Sequence, residues 1–281
     1  MTKIAYFDCF SGASGDMLLG ALLDAGFSLD TLKEDLVKLG LSDYEIILTP
    51  QVRHSISGSK LDVVDHSQER PAHNLHTVRS LLEGSSLPPE IVELSLQVFT
   101  RLAEAEAQVH KTDVAHIHFH EVGAVDTLVD IVGFCSAIWH LGIKEIYASF
   151  LPLGKGTVIT EHGLLPVPAP ATLALLASAQ VPVLPLDIQS ELVTPTGAAL
   201  LSTLAHFSRP AMIIQRVGYG FGNKTLPWPN MVRVWIGEKL FIDSTKYALA
   251  FDRHSHHQET THTPEHPPEH THGPHTHEHS H

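Results

Sequence analysis

The chain has 281 residues, 43% of them apolar, which is enough for a buried core in one large domain or two smaller ones. Its 18 basic and 31 acidic residues give a formal charge of -13, which argues against nucleic acid as a general partner. The start of the chain lacks a signal-peptide pattern, no apolar run reaches the roughly 18 residues of a membrane helix, and two cysteines are too few for a disulfide framework. A cytoplasmic protein without a membrane span is therefore expected.

Apolar periodicity predicts strands and helices in alternation through the first half of the chain. A buried strand is expected to lead through a glycine turn into a helix that ends at Gly26. A later pair of strands is expected to turn at Ser57-Gly58, and a polar loop follows at 67–74. The predicted strands are 3–10 and the pair within 44–66, and the predicted helices are 16–26, 29–40, 75–83 and 89–110.

The second half of the chain continues the mixture of helices and strands. Together the elements indicate an α/β fold, or a mixed α+β fold, with more than one layer and a globular body over 1–250. The predicted helices are 124–141, one that follows a proline-rich loop within 163–178, and one within 194–207, and the predicted strands are 145–154, 211–222 and 230–240.

Residues 251–281 are predicted to form a disordered, metal-binding tail. Eleven of the 22 histidines lie in 254–281, which contains no lysine, arginine or large aliphatic residue. Such a segment cannot bury enough apolar surface to offset its chain entropy, and histidine-rich tracts bind metals. An engineered purification tag is the alternative, against which the irregular spacing argues. The tail residues expected to load metal include His256, His257, His275, His277, His279 and His281.

The segment "AHIHFHEVGAVDTLVDIVG", residues 115–133, carries an unusual density of possible metal ligands. On a strand, the alternating His116, His118 and His120 would form one row of imidazoles. Asp126 and Asp130 would share one face of the following helix. Nitrogen and oxygen donors of this kind suit Ni or Zn, so a metal or active site is expected. The alternative is a structural role, in which the histidines belong to the core and the aspartates interact favourably with the helix dipole.

Two glycine loops, "FDCFSGASGDM" and "TPTGAALL", each precede an apolar helix. Their backbone N–H groups could hold an anion, and Asp8 and Asp16 could hold a metal or a ribose hydroxyl. A tight turn with Asp16 as the helix N-cap is the alternative for the first loop. Lys155, in a third loop, offers a charge for a phosphate or carboxylate, or is simply solvated. Cys9 is a weak candidate for a nucleophile, because small buried cysteines are common.

Several long motifs resemble the LarC family of nickel insertion proteins, in the same order along residues 3–240. They are "FDCFSGASGDMLLGALLDAG", "AHNLHTV", "RLAEAEAQVH", "HFHEVGAVDTLVDIVG", "LPLGKGTVITEHGLLPVPAPATLALL", "ELVTPTGAALL" and "GYGFG". The resemblance implies an enzyme, a nickel chelatase or cyclometallase. It would insert Ni(II) into pyridinium-3,5-bisthiocarboxylic acid mononucleotide, form one Ni–C and two Ni–S bonds, and so supply the cofactor of lactate racemase.

The expected partners besides the precursor are the lactate racemase apoprotein, CTP with Mg or Mn, and a second copy of the chain.

The residues and the resemblance together also assign roles to the motif positions. The expected catalytic residues are His120, Glu121 and Asp126, the metal ligands are His118, His120, Asp130 and His162, and the substrate or phosphate contacts are Asp8, Ser11, Gly12, Ser14, Gly15, Asp16, Lys155, Thr194, Thr196 and Gly197.

One departure from the family pattern leaves alternatives open. Family members usually continue into a C-terminal domain, where the resemblance locates CTP binding, whereas this chain passes into the histidine-rich tail. The chain is thus expected to be an insertase or the N-terminal part of one, with a companion domain. A nickel-binding chaperone or store without catalysis is the alternative, and a metal-dependent hydrolase of phosphorylated substrates is a third.

Overall fold

The computed structural model describes residues 1–67, 74–117, 119, 125–160 and 162–241. The chain divides into Met1–Leu240 and Phe241–His281, and only Phe241 of the second stretch is described. The helices are α1 (Gly15–Asp24), α2 (Leu29–Val37), α3 (Leu75–Glu83), α4 (Pro89–His110), α5 (Val125–His140), α6 (Pro170–Ser178) and α7 (Pro195–Leu204). The strands are β1 (Lys3–Asp8), β2 (Tyr44–Arg53), β3 (Ile56–Asp65), β4 (Glu145–Ala148), β5 (Leu151–Lys155), β6 (Thr157–Thr160), β7 (Gly163–Pro166), β8 (Val183–Gln189), β9 (Ala205–His206), β10 (Met212–Phe221) and β11 (Met231–Lys239).

A mixed sheet forms the centre of the fold. Within the described residues, seven strands follow the order β2-β3-β10-β11-β1-β4-β9. β1 pairs antiparallel with β11 and parallel with β4, while β10 pairs antiparallel with β11 and parallel with β3. β5 pairs with β8, and β6 with β7, in two smaller sheets. The expected α/β class is confirmed.

Helices cover one face of this sheet in two layers. α1 packs on β3, β10 and β11, and α5 packs against α1, α2 and α4. α4 also contacts α3, α6 and α7. Phe7 on β1 meets Phe134 on α5, with ring centroids 5.4 Å apart, and both side chains are fully buried. The main apolar core therefore lies between the sheet and α5 and continues to α4.

The "GYGFG" motif allows α1 to approach β10 closely. A Cβ atom on Gly218 would lie 2.2 Å from the carbonyl oxygen of Ala21, and one on Gly220 would lie 1.9 Å from that of Met17. Only glycine fits where a helix backbone lies this near a strand. The motif therefore sets the position of α1, whose first turn enters the candidate site.

Most predicted elements agree with the structure, and α3 and α4 have the predicted bounds. The predicted turn at Ser57-Gly58 is wrong. The chain turns at His54-Ser55, both with positive φ, and Gly58 lies buried in β3. The single strand expected over 145–154 is also wrong, because the chain forms β4 and β5, which join different sheets. The prediction missed β6, β7 and β8.

Two expectations about the wider chain have different outcomes. Among the described helices, none is both long and apolar enough to cross a membrane. The disordered tail and its metal-loading histidines lie outside the described residues, as does most of the polar loop at 67–74. The boundary at residue 250 and the role of the tail therefore stay predictions.

Candidate metal and anion site

A cavity of about 520 Å³ opens where the first turns of α1, α5 and α7 meet β3 and the end of α4. Carboxyl groups dominate its polar lining, and a lysine and two histidines accompany them. These ionisable lining residues are Asp16, Lys60, Asp62, Glu106, His110, Asp126, Asp130, His162 and Glu191. The cavity thus has the donor types that a divalent cation binds.

The two glycine loops of the sequence lie side by side at this cavity. Ala13 donates its N–H to the carbonyl of Leu192 at 2.9 Å, and Thr194 returns an N–H to the carbonyl of Ala13 at 3.0 Å. Gly197 permits the contact, because a Cβ atom there would lie 2.3 Å from the oxygen of Ala13. The Thr194 hydroxyl caps α7 by accepting from the N–H of Gly197 at 3.2 Å. The lining residues drawn from the two loops include Ser14, Gly15, Asp16, Thr194 and Thr196.

Asp130 is the most unusual group of the cavity. Its side chain is 9% exposed, and its Oδ1 atom is buried without a hydrogen-bond partner among the described residues. Burial raises its pKa well above the usual range, and the carboxyl groups of Asp16 and Asp126 raise it further, against the opposing charge of Lys60. A buried polar atom that lacks a partner is costly, so Asp130 is suited to meet a ligand.

Gly15 makes room for this carboxyl group. A Cβ atom at Gly15 would lie 2.2 Å from Asp130 Oδ2, which is shorter than any van der Waals contact allows. The first residue of α1 and the second turn of α5 can therefore approach each other only because residue 15 lacks a side chain. Gly15 thus has a packing role at the cavity, and its predicted contact with the substrate or phosphate stays a prediction.

Lys60 is a functional candidate that the sequence analysis missed. It lies on β3 and is 3% exposed, although lysine is almost never fully buried without a partner. Its Nζ donates to Asp62 Oδ1 at 2.6 Å, to the carbonyl of Leu61 at 2.7 Å and to Asp16 Oδ2 at 3.5 Å. The available signal was a lone lysine within an otherwise strand-like segment, which alone does not distinguish a buried cation from a surface charge.

The rim of the cavity carries two more missed residues beside the predicted His162. The rings of His110 and His162 lie 5.0 Å apart, between centroids. His110 Nε2 lies 3.5 Å from Glu106 Oε2, one turn back on α4. Both residues occur in "RLAEAEAQVH", where their helical spacing of four residues was the signal.

Several predicted site residues have partners elsewhere. Asp8 forms an ion pair with Arg233, its neighbour across β1 and β11. Ser11 accepts from Trp228 Nε1 at 3.0 Å and donates to Asn230 Oδ1 at 3.3 Å. Lys155 is exposed and forms an ion pair with Asp187. None of the three predicted residues lines the cavity, so their assigned roles find no support in this geometry.

Gly12 and Cys9 have structural explanations. Gly12 has a φ of +118°, and a Cβ atom there would lie 2.0 Å from the carbonyl oxygen of Leu192. It therefore shapes the contact between the two loops. Cys9 is fully buried, and burial raises its thiol pKa above the usual range. Full burial and a raised pKa give no support to the nucleophilic role that the sequence left open.

The expected row of imidazoles on one strand does not form at its first member. His116 is exposed and ends a 3-10 helix over Val114–His116, which the Asp113 side chain caps by accepting from the N–H of Ala115 at 2.8 Å. His118, His120 and Glu121 lie outside the described residues. Within the described parts of the chain, no three His, Cys, Asp or Glu side chains form a group that could hold a metal ion.

The chain resembles known proteins over most of its length. A family model described as nickel insertion protein matches residues 5–266. A Thermomicrobium roseum protein, named as a candidate nickel insertion protein, is 52% identical over 86% of this chain and 60% of its own length. A Desulfitobacterium hafniense protein, named pyridinium-3,5-bisthiocarboxylic acid mononucleotide nickel insertion protein, is 48% identical over 84% of this chain and 58% of its own length.

These relatives are longer than the matched region. The chain spans only 58–60% of the length of the two relatives described above. No solved structure gives a significant match. Since the family model covers most of the chain and the identities are close to half, the chain belongs to the nickel insertion protein family.

Proposed function

We propose that this chain inserts Ni(II) into pyridinium-3,5-bisthiocarboxylic acid mononucleotide, with the cavity at Asp130 as the place where nickel is received. The observation that carries the proposal is the buried Oδ1 of Asp130, which lacks a partner among the described residues. Asp16 and Asp126 lie near enough to raise the pKa of Asp130. A divalent cation would satisfy the unpaired oxygen and favour the ionised form of Asp130 beside the other two carboxylates.

The remaining ligands are proposed from the sequence. Asp130 would hold nickel together with His118 and His120, whose motif adjoins α5, while His162 would receive it at the rim. Imidazole and carboxylate bind Ni(II) less firmly than thiolate does, so they can yield it to the two thiocarboxylates of the precursor. Transfer, rather than permanent storage, suits this ligand set.

Forming the Ni–C bond requires a base as well as the metal. The ring C–H bond breaks, its electron pair forms the bond to Ni(II), and the proton leaves to a neighbouring group. We propose Asp126, His120 and Glu121 as the candidates for that group, while the metal acts as a Lewis acid. The starts of α1 and α7, with Ser14, Thr194 and Thr196, are proposed to face the substrate phosphate.

Among its described lining residues, the cavity offers little positive charge for CTP. Six carboxyl side chains are among its described lining residues, against one lysine that already donates to three oxygens. A triphosphate would be repelled there. We propose that CTP, with Mg or Mn, binds in a companion domain, and that lactate racemase receives the finished cofactor.

The first experiment measures nickel bound per full-length chain after dialysis, for the wild type and for Asp130→Asn. The wild type should retain one tightly bound nickel more than Asp130→Asn, whatever the histidine-rich tail binds in both. Asp187→Asn, in an exposed ion pair outside the cavity, is the matched control and should bind as the wild type does. The precursor is then added, and the mass of the small-molecule product shows whether it has gained nickel and lost a ring proton.

The outcomes separate the candidate functions. Product formation that Asp130→Asn abolishes supports insertion at this cavity. Equal nickel in the wild type and in Asp130→Asn would overturn it. A nickel store is the second candidate, favoured by the 11 histidines of residues 254–281. It predicts several nickel ions per chain and no change in the precursor.

A further inference from the structure

Lys60 has three ammonium donors, and their three contacts differ in length. Two are short, at 2.6 Å to Asp62 and 2.7 Å to the carbonyl of Leu61, and both acceptors lie within two residues of Lys60 on β3. The third reaches across to Asp16 on α1 at 3.5 Å, the limit of a hydrogen bond. The contact to Asp16 is thus the weak one, and it alone joins the lysine to another element.

The Asp16 carboxylate could also contact a cation bound at Asp130. It lies at the start of α1 beside Gly15, whose backbone touches Asp130, and both carboxyl groups line the cavity, near enough for Asp16 to raise the pKa of Asp130. A divalent cation bound at Asp130 would carry twice the charge of the ammonium, so it would compete with Lys60 for the Asp16 carboxylate. Cation binding would therefore take Asp16 away from Lys60.

A lysine that loses this contact cannot remain unsatisfied. Lys60 is 3% exposed, so water does not readily replace the missing acceptor. Asp62 still pairs with the ammonium charge, but one buried N–H donor is left without an acceptor, which is costly. The freed donor lies in a cavity that is large enough for a small aromatic ligand, at about 520 Å³. An anion brought by that ligand would restore the third contact.

We propose that Lys60 is an anion-binding site that opens when a divalent cation takes Asp16. The ligand class is an aromatic carboxylate or thiocarboxylate, and the inference rests on the proposed function in so far as nickel is the cation. Asp62 and the carbonyl of Leu61 keep the ammonium in place while its third donor changes partner. Metal binding then prepares the site for the precursor, whose thiocarboxylates are the groups that must reach nickel.

Thermodynamic linkage gives the proposal a measurable consequence. If nickel strengthens binding of the anion, the anion must strengthen binding of nickel by the same factor. The coupling should be roughly tenfold, within the usual range of about 5- to 150-fold. Removing the lysine charge should abolish the coupling while leaving nickel affinity equal or higher, because a cation is lost from the cavity.

The test uses the full chain and pyridine-3,5-dicarboxylate, which has the ring and two carboxylates but no phosphate. Its affinity is measured by calorimetry with and without nickel, and the signal of Asp130→Asn is subtracted to remove binding elsewhere. Lys60→Met should lose the coupling, and Lys60→Arg should retain most of it. Lys239→Met is the matched control and should behave as the wild type does. It removes a lysine of β11 that pairs with Glu145 of β4 at 2.6 Å. Lys60→Gln replaces Lys60→Met if the latter does not fold by circular dichroism.

Three results would overturn the inference: wild-type coupling in Lys60→Met or Lys60→Gln, no coupling in the wild type, or coupling with inorganic phosphate but not with the dicarboxylate. In each of these the wild type still binds its cavity nickel, so the proposed function survives. A wild type that binds no more nickel than Asp130→Asn does instead removes the proposed function itself.

Discussion

At the scale of single residues, the candidate site depends on a side chain that is absent. Gly15 leaves the space in which the Asp130 carboxyl group lies. Asp130 in turn provides the buried oxygen that we propose binds a cation. The site is therefore built by packing as much as by charge. A substitution that adds one methyl group at residue 15 should disturb both.

Gly15→Ala should lower the free energy of unfolding by about 1–3 kcal/mol, because its Cβ would lie 2.2 Å from Asp130 Oδ2. It should also weaken nickel binding by displacing that carboxyl group. Gly20→Ala is the control on the same helix, since its Cβ would meet nothing nearer than 3.5 Å. It should raise stability by about 0.5–1 kcal/mol, as alanine does inside a helix. Chemical denaturation of both variants checks the pair, and equal effects would contradict the packing argument.

Part of this site could be predicted from the sequence, and there are physical reasons why the rest could not. Asp126 and Asp130 could be placed together because a helix fixes their spacing, and His162 because its motif is distinctive. Lys60 could not be found, since only the tertiary fold tells a buried lysine on β3 from an exposed one. Asp8 shows the converse, because a carboxylate beside a glycine loop turned out to be paired across the sheet with Arg233.

At the scale of elements, α2 and α5 are joined by a buried carboxylate away from the cavity. Asp35 on α2 is 1% exposed and accepts from Ser136 at 2.5 Å, with His140 Nε2 at 2.9 Å and Lys38 Nζ at 2.6 Å. Burial alone would raise the pKa of Asp35, but these hydrogen bonds outweigh it and hold the pKa below the usual range. The charged form of Asp35 thus stabilises the packing of the helix pair.

The stabilisation by the ionised Asp35 carboxylate should be lost in acid. A lowered folded-state pKa contributes stability above the unfolded pKa of about 3.9, and the contribution is lost as the pH falls through the folded value. Asp35→Asn should therefore cost about 1–3 kcal/mol at neutral pH, and the difference from the wild type should shrink below about pH 4. Unfolding curves across this range test it. Glu34→Gln, an exposed neighbour on α2, is the control, and a difference for Asp35→Asn that does not change with pH would contradict the account.

The elements themselves were predictable where their pattern was long. α4 shows the 3.6-residue period over 22 residues and begins with Pro89, so both ends could be read from the sequence. The turn of β2 and β3 could not, because positive φ at His54 and Ser55 lacks the usual Asn-Gly signal of a two-residue hairpin. Gly58 gave a false signal instead, since it is glycine for the sake of contact with Tyr219.

At the scale of the whole molecule, charge sets how the substrate approaches. With the four glutamates of residues 254–281 set aside, 18 basic residues face 27 acidic ones in residues 1–253. The cavity lining is more acidic still, with six carboxyl side chains and one lysine among its described residues. Lys60, its buried lysine, is already neutralised by Asp62 and Asp16 before a metal arrives. An anionic substrate should therefore be repelled by the metal-free chain at long range, and nickel should relieve that repulsion locally.

The salt dependence of ligand affinity measures this electrostatic repulsion. Binding of pyridine-3,5-dicarboxylate to the metal-free chain should strengthen when salt rises from about 10 mM to about 150 mM, since the Debye length shortens from about 30 Å to about 8 Å and screens the repulsion. With nickel bound, the trend should flatten or reverse, because a local cation now attracts the ligand. The affinity is followed by calorimetry at each salt concentration with the sodium salt of the ligand. Binding to the metal-free chain that weakens with salt would mean that a cationic group outside this cavity governs recognition, and it would move the search for the substrate site away from α1, α5 and β3.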